Sequence, residues 1–401
     1  MLYNGILERN DSMIYFDNAA TTAVTPAVRD AMLPYFTEYF GNPSSIFYSL
    51  GAEARKGMEE ARATVAEILG CSPREIFFTA SGSEADNWAI RGAALKSGKK
   101  HIITSAIEHH AVIHTCEFLE KQGWRVTYLP VDADGLVSPA DLEAAICDDT
   151  ALVSIMYANN EIGTIQPIRE LCEIAHKKGV LFHTDAVQAV GTVPVNVADL
   201  CVDMLSLSAH KFHGPKGIGA LYIKKGVRIE RLIHGGAQER GMRAGTENTA
   251  YIAGLAKALS DATEKMEEKT EYVRKLRDKL TSGVLAAVPH ARLNGHAEKR
   301  LPGNANFSFR FIEGEGLLLH LALAGFAVSS GSACASASLD PSHVLLAIGL
   351  PHEIAHGSLR VSLSADNTEE EVDAFLAALP PIVERLRQMS PLYEEFLKGE
   401  N

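Results

Sequence analysis

A lysine directly after an apolar, strand-like run is the most reactive feature of the sequence. The run beginning at Asp203 ends in Ser-Ala-His-Lys, of which Lys211 is the last residue, and a glycine-rich turn follows at 214–219. Ligands bind at the carboxyl ends of strands in open α/β sheets. A lysine held there, partly desolvated, has a lowered pKa and can form a Schiff base. An ordinary surface lysine is the alternative, so the prediction depends on the other residues of the chain.

A turn rich in small and hydroxyl residues follows another predicted strand, at 75–79. Gly82 and Ser83 open the helix that comes after this turn. The free N–H groups of a helix N-terminus, together with the helix dipole, bind anions. No Gly-Lys-Ser/Thr follows, so this is not a Walker A loop. The turn therefore predicts a phosphate site, with a plain helix cap as the alternative.

Strands and helices alternate along the first part of the chain at a spacing typical of βαβ units, which predicts a largely parallel, buried sheet. Polar residues follow several of these strands: Ser83, His109, Asn160, Asp185 and Lys211. Each alone is a common cap or turn residue. Because the strands of a parallel sheet end at one edge, together these residues predict a pocket there.

The second part of the chain has a different organisation. A glycine-rich loop at 234–246 carries two arginines, and a long helical pattern, bent or interrupted, is predicted over about 249–285. Strands at 305–309 and 358–363 and a final helix begun by a capping box at Thr368 then predict a second, smaller domain. The pair Pro380–Pro381 is expected to break or kink that helix.

Composition excludes several classes of protein. The 401-residue chain is 46% hydrophobic and has a net charge of −12, which argues against a general nucleic-acid binder. Residues 1–12 lack the features of a signal peptide. The longest apolar stretch, 316–328, is interrupted by His320 and is too short to span a bilayer. These features predict a cytoplasmic protein that contacts neither membrane nor nucleic acid.

Cysteine usage points to one position. None of the six cysteines forms Cys-x-x-Cys or Cys-x-x-His, so no metal site is predicted. Five are expected to be small buried hydrophobes. Cys334 differs, because the other residues of 329–338 are only Ser, Gly and Ala, which have little apolar surface to bury.

A lysine imine, a phosphate site and a strand-end aspartate together suggest pyridoxal 5′-phosphate (PLP), which needs a lysine Schiff base and an acid partner for its ring nitrogen. Asp185 is the candidate acid, and Gln188 could reach the ring hydroxyl. His109 could stack on the ring. Arg360 could bind a substrate carboxylate in a bidentate pair, with a cross-strand surface arginine as the alternative.

These residues match a known family. The sequence resembles the PLP-dependent cysteine desulfurases of the NifS/IscS type, from about Ile14 to the C-terminal helix. The most specific motifs are Ser-Ala-His-Lys at 208–211, His-Thr-Asp-Ala-Val-Gln at 183–188, Arg-Gly-Met-Arg-Ala-Gly-Thr at 240–246 and Ser-Ser-Gly-Ser-Ala-Cys at 329–334. Two departures are mild: Ser83 stands where Thr is frequent in the family, and Ala209 stands where Gly is frequent.

The resemblance implies a role for each candidate residue. Lys211 would carry PLP, and Cys334 would attack the substrate sulfur. Arg360 would bind the cysteine carboxylate, with Asn42 lining the site. The remaining residues implied to hold the cofactor are Gly82, Ser83, His109, Asn160, Asp185, Gln188, Ser208, His210 and, from the other subunit of a homodimer, Thr246. His109 would also act as a general acid/base.

The resemblance further implies a fold type I PLP-dependent transferase of the α/β class. Its large domain, residues 20–266, would have a mainly parallel sheet flanked by helices, and its smaller α/β domain would comprise 1–19 and 267–401 with the catalytic cysteine loop at 329–338. The implied activity converts L-cysteine to L-alanine and passes sulfur, as an enzyme persulfide, to an acceptor or iron–sulfur scaffold protein. A selenocysteine lyase, an aminotransferase and a non-catalytic scaffold remain alternatives, and the sequence does not identify the sulfur acceptor.

Overall fold

The computed structural model describes residues 13–330 and 341–399. The strands are β1 (Ile14–Tyr15), β2 (Ile76–Thr79), β3 (His101–Ser105), β4 (Arg125–Leu129), β5 (Thr150–Ser154), β6 (Leu181–Asp185), β7 (Met204–Ser208), β8 (Gly219–Ile223), β9 (Ala291–Asn294), β10 (Asn304–Phe309), β11 (Phe326–Ala327) and β12 (Ser358–Ser362). The helices are α1 (Pro26–Met32), α2 (Pro34–Thr37), α3 (Ser49–Leu69), α4 (Gly82–Ser97), α5 (His110–Lys121), α6 (Pro139–Ala145), α7 (Ile168–Lys177), α8 (Val197–Leu200), α9 (Thr249–Thr263), α10 (Met266–Ala287), α11 (Gly314–Leu323), α12 (His343–Ala347), α13 (His352–His356), α14 (Glu369–Gln388) and α15 (Pro391–Gly399).

A seven-stranded sheet forms the centre of the fold, in the order β2-β8-β7-β6-β5-β3-β4. The pairs among β7, β6, β5, β3 and β4 are all parallel, and β8 is antiparallel to both of its neighbours. The predicted α/β class with a mainly parallel sheet is therefore confirmed. The parallel strands end at one edge, where the loops that follow them meet.

Helices cover both faces of this sheet, as the apolar character of its strands requires. One face packs into a large core with α1, α3, α7 and α9, built around residues such as Val65, Phe182 and Leu255. The other face packs against α4 and α5 around Trp88 and Ile102. Both faces are mainly apolar, and the buried polar residues His183 and Ser206 in the middle of β6 and β7 hydrogen-bond to each other at 2.9 Å.

A three-stranded antiparallel sheet, β12-β10-β9, organises the C-terminal part of the chain. It packs with α10, α11 and α14 in a separate core that also includes Phe16 from the N-terminal segment. β1 pairs in parallel with β11, which ties the N-terminal segment to this part of the molecule. The two sheets have separate cores, a further small cluster combines Ile107 and Met156 with Val344 and Leu345, and the division into 20–266 and 1–19 with 267–401 stays a prediction.

Two helix predictions had different outcomes. The interruption predicted within 249–285 is confirmed, because α9 and α10 are separated at Lys265, which has a φ of 54°. The break predicted at Pro380–Pro381 is wrong, since α14 continues through both prolines to Gln388. Prolines remove helix hydrogen bonds, but here buried side chains on both sides of the pair, including Phe375 and Val383, hold the helix against the core.

None of the helices in the described ranges is both long enough and apolar enough to cross a membrane.

Candidate active site

Lys211 lies at the carboxyl edge of the central sheet, in a single 3-10 turn (Ala209–Lys211) directly after β7. Its Nζ donates to the carbonyl oxygens of Ala19 and Ala20, each at 2.7 Å. The Gln188 side chain donates to the same Ala19 oxygen at 3.0 Å. The N-terminal segment therefore brings Lys211 and Gln188 together, as the sequence predicted for two residues of one site.

Asp185, the last residue of β6, is buried next to this lysine. Burial raises the pKa of the Asp185 carboxyl to about 6, against the opposing effects of the Val187 amide and the Lys211 charge. The Val187 N–H donates to its Oδ1 at 2.9 Å, which fixes the carboxylate orientation. A buried carboxyl held this way is suited to bind a protonated ring nitrogen, because the opposite charge would offset its desolvation.

His109 caps the N-terminus of α5, and its Nδ1 accepts a hydrogen bond from the Ala111 N–H at 3.1 Å. Burial, followed by the charge of Lys211, lowers the pKa of His109 to about 4. The ring is therefore neutral at physiological pH and can accept a proton. Its Nε2 has no hydrogen-bond partner within 13–330 and 341–399, which leaves that atom available to a ligand.

The turn before α4 has the geometry of an anion site. Ser81 caps the helix by accepting from the Glu84 N–H at 3.1 Å. The first-turn amides of Gly82 and Ser83 have no hydrogen-bond acceptor in the described part of the chain. A Cβ on Gly82 would lie 2.7 Å from Val187 Cγ2 and 3.3 Å from Ser208 Cβ, so Gly82 and Ser208 are in close approach.

His210 directly precedes Lys211 in the turn after β7 and is half-buried. Its Nδ1 is 3.2 Å from the Thr21 hydroxyl. Burial and then the Lys211 charge lower the pKa of His210 to about 4. Ser83, in contrast, is exposed, as a hydroxyl that reaches a ligand from the rim of a site would be.

Arg360 comes from β12, outside the central sheet, and is buried at 2% exposure. Its guanidinium donates to Asp17 Oδ1 at 2.8 Å and to the Asn160 carbonyl oxygen at 3.0 Å. Its Nε is buried without a hydrogen-bond partner among the described residues. The alternative of a surface arginine is therefore wrong, and one donor of the fork remains for a ligand.

Two predicted residues of the described ranges are not brought to this cluster. Asn42 and Thr246 are exposed on loops, and the Asn42 side chain accepts from the Ser44 N–H at 2.9 Å. Cys334 lies outside the described residues.

Several residues of the site were not predicted. Asp86 is buried beneath Asp185, its Oδ1 lies 3.7 Å from His183 Nε2, and burial together with the Asp185 charge raises its pKa. Glu108, next to His109, is also buried, which raises its pKa to about 8. A charged residue at a buried helix position was the available signal for Asp86, whereas Glu108 lies in the loop before α5, where a carboxylate is common.

The two arginines of the loop at 234–246 bond to other groups of the protein and do not form a free anion site. Arg243 pairs with both carboxylate oxygens of Glu84, at 2.8 and 3.0 Å. The Arg240 guanidinium lies 4.2 Å from the centre of the Phe77 ring and donates to the Ile76 carbonyl oxygen. Both therefore attach the loop to the sheet near the start of α4.

A cavity of about 250 Å³ lies against Lys211 and Gln188. A larger cleft, of about 1000 Å³, is lined by residues such as Pro130, Gln166 and Arg300 and contains none of the predicted site residues. Size alone does not identify the active site here, and the convergence of reactive groups does.

The residues present fit PLP. The unpaired first-turn amides of α4 and the absence of a side chain at Gly82 suit its phosphate. The buried Asp185 suits the ring nitrogen, and Lys211 suits the aldehyde. These three groups come from different strand ends and meet at one edge of the sheet, as a cofactor of that shape requires.

Comparison with known proteins is consistent with this site. Residues 14–375 match the aminotransferase class-V family. The chain is 57% identical to cysteine desulfurase IscS of Clostridium botulinum over 394 residues, which cover 97% of this chain and 99% of that protein. It is 58% identical to cysteine desulfurase IscS of Methanosarcina thermophila, over 94% of each chain.

Solved structures agree with these relatives. A NifS-like protein superposes with a TM-score of 0.88 at 44% identity and covers 93% of this chain and 100% of its own. SspA, solved in complex with cysteine, has a TM-score of 0.77 at 38% identity and covers 88% of this chain and 99% of its own. The chain therefore belongs to the aminotransferase class-V family and, within it, to the PLP-dependent cysteine desulfurases of the NifS/IscS type, as the sequence motifs predicted.

Proposed function

We propose that this enzyme converts L-cysteine to L-alanine and retains the sulfur as a persulfide on Cys334. The observation that carries the proposal is the position of Lys211 at the end of β7. Its ammonium is close enough to Asp185, His109 and His210 to shift the pKa of each. An ionisable cluster of this kind at a sheet's carboxyl edge is typical of a catalytic site.

Arg360 is the proposed anchor for the substrate carboxylate. Its buried Nε has no partner in the described part of the chain, and its ion pair with Asp17 uses only one nitrogen of the guanidinium, Nη2. A carboxylate that accepts from Nε and from Nη2, in place of Asp17, would form a bidentate pair and orient the amino acid. The pair with Asp17 then competes with substrate for the same group.

Lys211 and His109 are the proposed proton carriers. Bound PLP supplies an electron sink for the charge left on the substrate when its α-proton is removed. Lys211 would hold PLP and, when its amine is free, would carry that proton. The neutral His109 ring, whose Nε2 has no partner among the described residues, is the proposed acid/base group beside Lys211.

Cys334 is the proposed sulfur acceptor within the enzyme. As a thiolate it attacks the substrate sulfur, an S–S bond forms, and the carbon–sulfur bond of the substrate breaks. The electron pair of that bond stays with the carbon fragment, which takes up a proton and leaves as alanine. Cysteine and one enzyme thiol thus become alanine and one persulfide, with no external oxidant or reductant.

We also propose that the enzyme forms a homodimer. The segment 33–48 presents large apolar side chains to solvent, which suits a homodimer interface; the most exposed are Leu33, Phe36, Phe40, Ile46, Phe47 and Tyr48. Asn42 belongs to this segment and Thr246 is also exposed, so both could complete the site of the other subunit. The sulfur-acceptor or iron–sulfur scaffold partner and the cytoplasmic location stay predictions from the sequence.

The test measures alanine and sulfide formed from cysteine, with and without reductant, and selenide formed from selenocysteine in parallel. Cys334→Ser should keep the visible absorption of lysine-bound PLP and release almost no sulfide. Cys147→Ser, which alters an exposed cysteine, is the matched control and should remain fully active. Wild-type sulfide release by Cys334→Ser would overturn the persulfide step, and selective selenide release would indicate a selenocysteine lyase.

A further inference from the structure

Two cysteines and a histidine converge at the edge of the central sheet opposite to the active site. Cys172 and His176 lie one turn apart on α7, and Cys201 follows α8. Their potential ligand atoms all lie within 4.8 Å of one another. His176 Nδ1 is 3.9 Å from Cys172 Sγ and 3.8 Å from Cys201 Sγ, and Cys172 Sγ is also 3.6 Å from His176 Nε2. The Cys172 thiol donates to the Cys201 carbonyl oxygen at 3.0 Å, a bond that metal binding would replace. The Cys-x-x-x-His spacing is neither Cys-x-x-Cys nor Cys-x-x-His, and Cys201 is distant in sequence, so no site was predicted here.

The orientation of the His176 ring is fixed from its other side. Its Nε2 donates to Asp203 Oδ2 at 2.8 Å. That carboxylate also accepts from the Phe182 N–H at 2.8 Å, and it lies 3.8 Å from Lys224 Nζ. With Nε2 bonded to Asp203, Nδ1 is the ring nitrogen left to bind the same ion as the two sulfurs. A carboxylate that holds a ligating histidine in this way is the usual outer partner of a metal site.

We propose that Cys172, Cys201 and Nδ1 of His176 bind one Zn²⁺ ion. A tetrahedral Zn²⁺ with bond lengths of about 2.3 Å to sulfur and 2.05 Å to nitrogen places each sulfur about 3.6 Å from the nitrogen and the two sulfurs about 3.8 Å apart. The two Nδ1–Sγ distances would therefore shorten by a few tenths of an ångström, and the two sulfurs, which lie within 4.8 Å of each other, would approach by up to about 1 Å. The two thiols lose their protons to solvent on binding. Two thiolates and an imidazole select a borderline-soft cation over Mg²⁺ or Ca²⁺.

The site is open to solvent on one side. Cys172 is buried, whereas Cys201 and His176 are partly exposed. Three protein ligands leave the fourth position of a tetrahedral ion to water. The cation therefore has an entry route that does not require unfolding.

Its position predicts a role in stability and not in desulfuration. Asp203 immediately precedes β7 and Lys211 follows it, so the length of this five-residue strand, roughly 17 Å, separates the two sites. The ion would join α7 to the segment between α8 and β7. Because Zn²⁺ binds the folded state, it should raise the Tm in a concentration-dependent way.

The test uses the reduced, PLP-loaded enzyme carrying Cys334→Ser, which removes a competing reactive thiol. After chelator treatment and desalting, Zn²⁺ is titrated against a chromophoric chelator, and Co²⁺ is used as a spectroscopic probe. We expect one equivalent to bind, with tetrahedral Co²⁺ and thiolate–Co²⁺ bands. Cys201→Ser should weaken Zn²⁺ binding by more than about 100-fold, and Asp203→Asn by roughly 10- to 100-fold. Cys147→Ser is the matched control and should bind as tightly as its parent.

Folding of each variant is checked by its Tm without metal, and Zn²⁺ should raise the Tm of the parent but not that of Cys201→Ser. Equal Zn²⁺ affinity of Cys201→Ser and its parent would overturn the proposal, as would the absence of stoichiometric binding. A Cys172–Cys201 disulfide after purification in air, combined with no Zn²⁺ binding once reduced, would make the cluster a redox pair and would also overturn it.

Discussion

The two ends of strand β3 carry histidines with the same lowered pKa and different bonding. His101 begins the strand and His109 follows it, and burial lowers the pKa of each to about 4. Both ring nitrogens of His101 are bonded at 2.9 Å, to the hydroxyls of Thr150 and Thr127. His109 uses only Nδ1, and its Nε2 has no partner within the described ranges. A shifted pKa alone therefore does not mark the catalytic residue.

The same contrast separates two buried arginines. Arg300 donates to four backbone carbonyl oxygens and uses every nitrogen of its guanidinium. Arg360 leaves a buried Nε unpaired in the described part of the chain. Buried polar groups are nearly always hydrogen-bonded. Other buried atoms, such as Trp124 Nε1 and Thr281 Oγ1, also lack a partner among the described residues, so an incomplete set suggests a ligand position only where it lies beside reactive groups, as at Arg360. Complete bonding, in contrast, indicates a structural role.

The largest effect should come from Lys211→Ala, which removes the group that carries both the cofactor and the proton. We expect desulfuration to fall by at least roughly 10⁴-fold and the visible absorption of lysine-bound PLP to disappear. Lys216→Ala is the matched control, because Lys216 is exposed in the turn that follows. Its activity and spectrum should equal those of the wild type. If Lys216→Ala and not Lys211→Ala lost the absorption, the assignment of Lys211 would be wrong.

Five of the residues that sequence reasoning identified lie at or after the ends of predicted strands: Ser83, His109, Asn160, Asp185 and Lys211. Strand ends are readable from apolar runs, and in a parallel sheet they converge, which is why the sequence alone could place Lys211, Asp185 and His109 together. The capping of α5 by His109 and of α4 by Ser81 followed from the same local patterns. Local signals thus predicted the carboxyl edge of the sheet well.

Pairings between distant segments could not be predicted. Asp17 and Arg360 are 343 positions apart and form a buried ion pair. The Asp86–His183 contact and the approach of Cys201 to Cys172 likewise depend on how the helices pack on the sheet. The continuous helix through Pro380 and Pro381 has the same origin, since tertiary packing overrides the local preference of proline. Spacing rules contain no information about such contacts.

The second prediction tests the comparison of the two histidines directly. His109→Gln should lower kcat by roughly 100-fold or more, because a general acid/base is lost. His101→Gln should leave kcat within about twofold of the wild type and mainly lower the Tm, since two buried threonine hydroxyls lose a partner. Steady-state kinetics and thermal unfolding of both variants are the measurements. An equal loss of kcat in the two variants would mean that the hydrogen bonding of a buried histidine does not separate a catalytic role from a structural one.

A smaller effect is expected at Arg360. Arg360→Ala should reduce kcat/KM for cysteine by roughly 30-fold or more, the equivalent of losing about 2 kcal/mol or more of carboxylate binding. Arg360→Lys should recover only part of the loss, because lysine keeps the charge without the fork.

Asp17→Asn is the informative control for Arg360. It removes the competing ion pair and keeps the arginine, so KM should fall or stay unchanged. Arg360→Ala with an unaltered KM would mean that the substrate carboxylate binds elsewhere.

The smallest expected effect is on the pH dependence of the free energy of unfolding, and it has opposite signs for the buried residues His101 and Glu108. The folded-state pKa of His101, about 4, is below its unfolded value of 6.5. The stability it contributes is therefore present above pH 6.5 and is lost as the pH falls toward 4. The folded-state pKa of Glu108, about 8, is above its unfolded value of 4.5. Its contribution is present below pH 4.5 and is lost as the pH rises toward 8.

Denaturant unfolding midpoints of the PLP-loaded enzyme, measured from pH 4 to pH 8, separate these two contributions. His101→Gln should flatten the loss of stability on the acid side, because glutamine does not take up a proton. Glu108→Gln should flatten the loss on the alkaline side, because its neutral amide resembles the protonated acid and still accepts from the Met156 N–H. If Glu108→Gln steepened the alkaline loss instead, Glu108 would be ionised and stabilising in the folded enzyme, and burial would not be the dominant influence on its charge.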